Sequence, residues 1–148
     1  MSIFALSLAR ILMSLLFIFT GYAKVVGYGP VIDLAKWKVR VGQLKIPGTN
    51  DPLPQPDLLA QIVAYGELVG GTMLFLGLLS RLTAFGLLVF VIIATVLGHN
   101  FWALTDPPAV YTQLQLFLRN MGLIGGLLLI VVAGGGSVGI DAMFRRQG

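Results

Sequence analysis

The chain contains no cysteine, and this absence excludes several kinds of redox and metal centre. Thiolate zinc sites, iron–sulfur clusters and CxxC dithiol centres all require cysteine. The sequence has one histidine, His99, which excludes bis-histidine haem ligation within a single chain. We therefore expect no metal site and no intrinsic cofactor in this protein.

Charged residues are also scarce, at 11% of 148 residues. Soluble domains carry about 25% charged residues, so this chain has less than half the usual share. Hydrophobic residues make up 57% of the sequence, and the mean hydropathy is +0.91. A soluble core of this size cannot bury so much apolar surface, whereas a lipid bilayer can. The composition therefore predicts a membrane protein.

The few charges that remain are mostly basic. Ten Lys and Arg residues against six Asp and Glu residues give a net charge of +4. Several of the basic residues lie beside apolar segments, where the opposite charge is that of phospholipid headgroups. We therefore expect the lipid bilayer as a partner, and no nucleic acid.

Four apolar segments approach the length of about 20 residues that crosses a bilayer. They cover about residues 3–23, 58–79, 82–98 and 116–133, and the fourth has an alternative start near Tyr111. The second and third segments meet at Ser80-Arg81, which predicts a tight antiparallel hairpin. The pattern predicts an all-α membrane protein, with four transmembrane helices in an up-down bundle that forms one domain over residues 1–148.

The first apolar segment has an alternative interpretation as a secretory signal peptide. Gly21-Tyr22-Ala23 has small residues at the spacing of a signal-peptide cleavage site. We expect the segment to be retained as a membrane span.

An up-down bundle of four helices places both chain termini on one membrane face. We call this face, which also holds Arg81, side A, and the opposite face side B. Aromatic residues typical of a membrane interface collect at side B; they are Tyr22, Tyr28, Trp37, Phe101, Trp102 and Tyr111. Basic residues occur on both sides, including Arg145-Arg146 on side A, so the positive-inside rule gives no orientation.

Residues 25–57 are predicted to form a long loop between membrane helices 1 and 2. The second half of this loop, residues 47–56, holds four prolines, which exclude a regular helix there. The first half is basic, and one interpretation is a helix on the membrane surface. Its apolar side would comprise Val31, Leu34, Trp37, Val41 and Leu44. The alternative is a β-hairpin over the mouth of the bundle, because residues 35–41 alternate between apolar and basic. We favour the surface segment, whose residues for lipid or partner contact are Lys36, Trp37, Lys38, Arg40 and Lys45.

Glu67 is the only glutamate of the chain, and it lies about ten residues into the second apolar segment. A charge at this depth of a bilayer costs several kcal/mol unless it is paired. Gly70 and Gly71 follow on the same helical face, where they allow a neighbouring helix to approach closely. One hypothesis is a structural ion pair between Glu67 and an arginine. A second is a carboxyl group that accepts a proton or contacts a quinone, and a third is a contact with lipid or with a partner subunit.

The first apolar segment carries a stripe of polar and small residues that should face the bundle interior. Its members are Ser7, Arg10, Ser14, Phe17, Gly21 and Lys24. We predict Arg10 as the partner of Glu67, because its long side chain reaches from side A towards the bundle centre. Lys24 is expected to extend to the headgroups of side B.

His99 and Asn120 are further polar residues near side B. His99 ends the third segment, one turn after Thr95, and either makes a structural hydrogen bond or passes protons. Arg119 and Asn120 lie at the start of the fourth segment. We predict that Glu67, His99 and Asn120, with Arg10 and Arg119 nearby, converge in one polar pocket that opens to side B.

A series of short motifs resembles the DoxX-like family of small four-span bacterial and archaeal membrane proteins. In chain order they are Ala9-Arg10, Gly21-Tyr-Ala-Lys24, Glu67-Leu-Val-Gly70-Gly71, Leu76-Gly-Leu-Leu-Ser-Arg81, His99-Asn-Phe-Trp102, Arg119-Asn120, Gly125-Gly126-Leu-Leu and Asp141. The resemblance covers nearly the whole chain except residues 29–56. It implies a four-helix bundle in a prokaryotic cell membrane.

The same resemblance implies an association with quinone-linked oxidoreductases, since the family takes its name from a subunit of an archaeal thiosulfate:quinone oxidoreductase. The first functional hypothesis is a quinone-interacting subunit of a membrane redox complex that has no redox centre of its own, so the electrons come from a partner redox subunit. The second is a non-catalytic structural or assembly subunit of a larger membrane complex. A solute carrier is disfavoured, because four spans make a thin bundle and no inverted repeat is evident.

Reversing the charges of Lys36, Lys38 and Arg40 to glutamate should weaken binding to anionic lipid or to a partner chain. Each basic group near an anionic membrane surface contributes about 1 kcal/mol, and salt screens that attraction. Binding of anionic lipid or of a partner chain to the detergent-solubilised protein at low and high ionic strength measures the effect, and protease accessibility in membranes checks that the four spans remain inserted. Unchanged binding at low ionic strength would show that this segment is only a connector.

Overall fold

The computed structural model describes residues 3–28, 32–46, 48–49 and 51–145. Val31, Arg146 and Pro47, the first of the four prolines in residues 47–56, lie outside these ranges. The described residues form six α-helices and one short 3-10 helix. The α-helices are α1 (Ile3–Val26), α2 (Leu34–Gly42), α3 (Pro56–Leu76), α4 (Ser80–Gly98), α5 (Pro107–Ala133) and α6 (Ile140–Arg145), and the 3-10 helix is Phe101–Ala103.

Four of these helices, α1, α3, α4 and α5, are long and apolar enough to cross a membrane. The prediction of an all-α protein with four membrane helices is therefore confirmed. α5 begins at Pro107 rather than near residue 116, because the Asp106 side chain accepts a hydrogen bond from the Ala109 N–H and caps the helix. Prolines at the first helical positions fit this start. A backbone N–H group there would have no acceptor within the helix, so proline, which has no N–H group, loses nothing.

The prediction of a long loop over residues 25–57 is wrong. The gap between α1 and α2 is short, residues 27–33, and α2 takes up most of the basic half of the segment. Residues 34–41 contain neither proline nor glycine, and the Asp33 carboxylate caps α2 by accepting the Lys36 N–H at 2.8 Å. The surface-helix interpretation was therefore correct in secondary structure, and the β-hairpin alternative is wrong.

The hairpin between α3 and α4 is as tight as predicted. Its turn comprises Gly77, Leu78 and Leu79, and Arg81 lies in the first turn of α4. Gly77 has a φ of 68° and Leu79 a φ of 48°, so the chain reverses through left-handed backbone at both positions. Asp141 of α6 holds this turn by accepting the N–H groups of Leu79 and Ser80 at 2.8 and 2.6 Å.

Glycines let α1 and α3 pack almost backbone to backbone. A Cβ atom on Gly71 would lie 2.8 Å from the Ile18 nitrogen and 2.9 Å from the Phe17 Cβ atom.

The predicted polar stripe of α1 faces the bundle interior, since all six of its members are buried. Many large apolar side chains point outwards instead, such as Leu82 and Val132, which are 66% and 69% exposed. This arrangement fits a bundle that is surrounded by lipid.

Replacing Gly71 with alanine should destabilise the protein by about 1–3 kcal/mol, because a backbone atom of α1 occupies the space of the new methyl group. Gly122→Ala is the matched control, since a Cβ atom there meets nothing within 4 Å. The control should be neutral or stabilising by up to about 1 kcal/mol. Thermal unfolding in detergent compares the two variants, and equal melting temperatures would contradict the close α1–α3 packing.

Candidate functional site

The central feature of the bundle interior is an ion pair between Lys24 of α1 and Glu67 of α3. Both residues are buried, at 9% and 7% exposure. Glu67 lies eleven residues after Pro56, about 16 Å along α3 at 1.5 Å per residue, and so near the middle of the helix. At this depth each charge requires the other, because hydrocarbon does not solvate an isolated ion.

The predicted partner of Glu67, Arg10, is wrong, and so is the expectation that Lys24 extends to headgroups. The glycine contacts fix the register of the two antiparallel helices, with Gly21 against Leu68 and Gly71 against Phe17 and Ile18. This register places Lys24, at the end of α1, opposite Glu67. The sequence signal for the pair was available, since Lys24 belongs to the same interior stripe as Arg10.

Arg10 is fully buried nearer side A, where it joins two chain segments. Its guanidinium group donates to the carbonyl oxygens of Phe75 at 2.7 Å, Gly135 at 3.0 Å and Val138 at 2.7 Å, and to that of Leu74. Two of these carbonyls end α3, where the negative end of the helix dipole favours a cation. Arg10 therefore holds the end of α3 to the glycine-rich segment that follows α5.

Trp37 of α2 covers the ion pair from side B. The Lys24 ammonium nitrogen lies 4.9 Å from the centroid of the Trp37 ring, within the range of a cation–π interaction. The indole N–H donates to the Ala60 carbonyl oxygen of α3 at 3.0 Å, which fixes the ring in place.

The N–H of Lys36 also holds the pKa of the Asp33 carboxyl below its ordinary value, which favours the capped form of α2 at neutral pH.

The basic residues of the α2 segment point largely away from the bundle. Lys36, Arg40 and Lys45 are exposed, whereas Lys38 is half-buried. Lys36 also forms an ion pair with Asp33, with an N–O separation of 3.6 Å. The contact of these residues with lipid or with a partner chain stays a prediction.

A groove of about 400 Å³ lies between α3 and α4. Among its lining residues Glu67 is the one ionisable group and Thr83 the only other polar side chain; the rest are Ile62, Val63, Gly66, Val69, Gly70, Met73, Leu82, Gly86, Leu87 and Phe90. Gly66 and Gly86 leave open space, since a Cβ atom on either would meet nothing within 4 Å. The groove therefore combines apolar walls with one carboxylate near the middle of α3.

His99 and Asn120 form a separate polar cluster between α4 and α5. The His99 Nδ1 atom lies 2.9 Å from the Gln113 side-chain oxygen, and the Asn120 amide donates to the Thr95 hydroxyl oxygen at 2.9 Å. No described hydrogen bond connects either residue to Glu67. The predicted pocket of Glu67, His99 and Asn120 is therefore wrong in its grouping, because each group is satisfied by a nearer neighbour.

Arg119 does not join this cluster either. Its side chain is exposed on α5, and it makes no ion pair or hydrogen bond within the described ranges. Within the same ranges no three His, Asp or Glu side chains are grouped closely enough to hold a metal ion. Of the residues predicted for the pocket, Glu67 alone lines the groove.

Comparison with known families identifies the bundle. The DoxX family model matches residues 5–100, which include all but the first two residues of α1, the whole of α2, α3 and α4, and the ion pair. The chain belongs to the DoxX family. The model of the SURF4 family also matches, over residues 55–146.

Two relatives of this DoxX protein come from Escherichia coli strain K12. The inner membrane protein YphA is 26% identical over 136 residues, which cover 92% of this chain and 87% of YphA. The inner membrane protein YqjF is 29% identical over 139 residues, which cover 94% of this chain and 91% of YqjF. No solved structure matches the chain. Together with the four apolar helices, these relatives identify a multi-pass inner membrane protein.

Replacing Lys24 with methionine should destabilise this DoxX protein by about 3–5 kcal/mol, because it leaves the Glu67 carboxylate buried without its partner. Glu67→Gln in the same chain should restore part of the loss, since the double variant buries no charge. Thermal unfolding of the wild type, both single variants and the double variant gives the coupling energy. Additive losses would show that the two side chains do not interact.

Proposed function

We propose that this DoxX protein is an accessory subunit of a quinone-linked oxidoreductase complex of the inner membrane, and that the α3–α4 groove binds the quinone or quinol head. The observation that carries the proposal is the mid-membrane placement of Glu67 in the wall of that groove. In this role the chain has no redox centre of its own. Its lack of cysteine and its single histidine fit a complex in which another subunit carries the redox centre.

The residues of the groove fit a quinone in size and in polarity. Small-molecule sites in proteins have volumes of about 300–1,000 Å³ and are mostly apolar, with a few polar groups that fix the orientation of the ligand. The groove has a volume of about 400 Å³, and Glu67 and Thr83 are its polar side chains. Exposed apolar residues at its edges, such as Ile62 and Leu82, offer contacts for an isoprenoid tail within the bilayer.

A bound quinone supplies the electron-transfer chemistry, whereas the residues of this chain position it and move protons. Glu67, as a carboxylate paired with Lys24, is placed to accept a proton from a hydroxyl group in the groove. Lys24 stabilises the charged form of that carboxylate before the proton arrives. Trp37 shields the pair from side B, which keeps water away from the mid-membrane site.

The groove proposal is tested by filling the groove. In a Trp102→Phe background Trp37 is the single tryptophan, and its fluorescence reports on the surroundings of Lys24. A short-chain benzoquinone added to the purified protein in detergent should quench this fluorescence in a saturable manner. Gly86→Leu should weaken binding about tenfold or more, because the new side chain occupies the groove.

Gly122→Leu is the matched control, since Gly122 lies on α5 outside the groove and has equally open surroundings. The control should bind the benzoquinone as the Trp102→Phe protein does. Glu67→Gln should weaken binding of the corresponding hydroquinone more than that of the benzoquinone, because the hydroquinone donates its hydrogen bond to a carboxylate. Equal quenching in the Gly86→Leu and Gly122→Leu variants would refute binding in the groove.

A second candidate function is a non-catalytic structural or assembly subunit. The observation that favours it is that the two cations buried among the described residues both join elements of the bundle: Lys24 pairs with Glu67, and Arg10 donates to four backbone carbonyls. Under this proposal a partner chain co-purifies in a fixed ratio, and the complex keeps its activity with Gly86→Leu. Loss of activity with retention of the partner favours the quinone site instead.

A further inference from the structure

The side chains of the α3–α4 groove offer a ligand hydrogen-bond acceptors and no free donor. The Glu67 carboxylate, paired with Lys24, can only accept hydrogen bonds. The Thr83 hydroxyl donates to the Leu78 carbonyl oxygen at 3.1 Å, so its own oxygen is left to accept. Lys24 is not among the lining residues, and its ammonium group faces Glu67 and the Trp37 ring. A ligand that carries donors therefore suits these side chains better than one that carries only acceptors.

The backbone around the groove supplies no donor near Glu67 either. The lining residues of α3 lie within residues 62–73, beyond the first turn of the helix, so their N–H groups bond to carbonyls of the same helix. In α4 the Thr83 N–H donates to the Leu79 carbonyl oxygen at 2.9 Å. The N–H of Leu82, in the first turn of α4, is the exception, and it lies at the side A end of the groove.

We propose, resting on the proposed function, that the groove selects a naphthohydroquinone, which is the reduced form of a fused-ring quinone without methoxy groups. A hydroquinone has two hydroxyl donors, and one of them can bond to the Glu67 carboxylate. The oxidised quinone has two carbonyl acceptors instead, and these find no donor near Glu67. Burying an acceptor without a donor is unfavourable, so the groove favours the reduced form.

The wall opposite Glu67 favours a fused aromatic ring. A Cβ atom on Gly70 would lie 3.0 Å from the Leu87 Cδ2 atom, which fixes the level of antiparallel α3 and α4. Glu67 lies about one turn before Gly70, and Phe90 lies about one turn after Leu87, so Phe90 and Glu67 line the groove at the same level. A ring whose hydroxyl group reaches Glu67 therefore packs against Phe90. Methoxy oxygens on that ring would be further acceptors buried without donors.

The test uses the purified full-length chain in detergent, under anaerobic conditions, and measures by calorimetry how far each ligand raises the melting temperature. Menadiol, a naphthohydroquinone, should bind about tenfold or more tighter than its oxidised form menadione, and about tenfold or more tighter than dimethoxymethylhydroquinone. In Glu67→Gln the side-chain amide donates as well as accepts, so the preference for menadiol over menadione should be lost. Where this variant does not fold, the double variant with Lys24→Met, which buries no charge, replaces it.

Gly86→Leu and Gly122→Leu separate binding in the groove from partition of the ligands into the detergent micelle. Binding is the part of each shift that Gly86→Leu removes and Gly122→Leu retains. If this part is equal for menadiol and menadione, or for menadiol and dimethoxymethylhydroquinone, the selectivity is overturned while the groove remains a quinone site. If no ligand gives a shift that Gly86→Leu removes, the proposed function fails and this inference fails with it.

Discussion

The cost of placing charges in hydrocarbon is the constraint on which the rest of this bundle depends. Lys24, Glu67 and Arg10 are all buried within membrane helices, and each has found partners inside the chain. Lys24 and Glu67 join α1 to α3 near the middle of the bundle, whereas Arg10 joins α3 to the segment after α5. Because breaking either contact leaves a charge without solvation, these contacts stabilise α1 in the register that its glycine packing against α3 sets.

Close packing on one side of the bundle leaves space on the other. Gly21 and Gly71 allow α1 and α3 to approach until their backbones nearly touch, so α3 is drawn towards α1. Gly66 and Gly86, on the faces that α3 and α4 turn to each other, remain without neighbours and open the groove. Glycines therefore bring the helices together at the α1–α3 contact and leave open space between α3 and α4. The same ion pair that stabilises the packed side presents its carboxylate to the open side, which is why one residue serves both proposed functions.

α2 links the membrane surface to the bundle interior. Its basic residues are mostly exposed, while Val41 is buried and Trp37 reaches the Lys24 ammonium group. α2 thus turns most of its basic residues away from the bundle and covers the ion pair with Trp37. At side A, Asp141 has a comparable position, because it caps α4 and faces Arg10.

The sequence by itself determined the fold class, the four membrane spans, the interior stripe of α1 and the placement of Glu67 within a membrane helix. These follow from hydropathy and helical spacing, which are local properties that lipid reinforces over each span. Only the tertiary structure decided that Lys24 rather than Arg10 pairs with Glu67, and that His99 and Asn120 belong to another cluster. Which charges meet depends on helix register, and that register is set by contacts between glycines and residues more than 40 positions away, which no local pattern encodes.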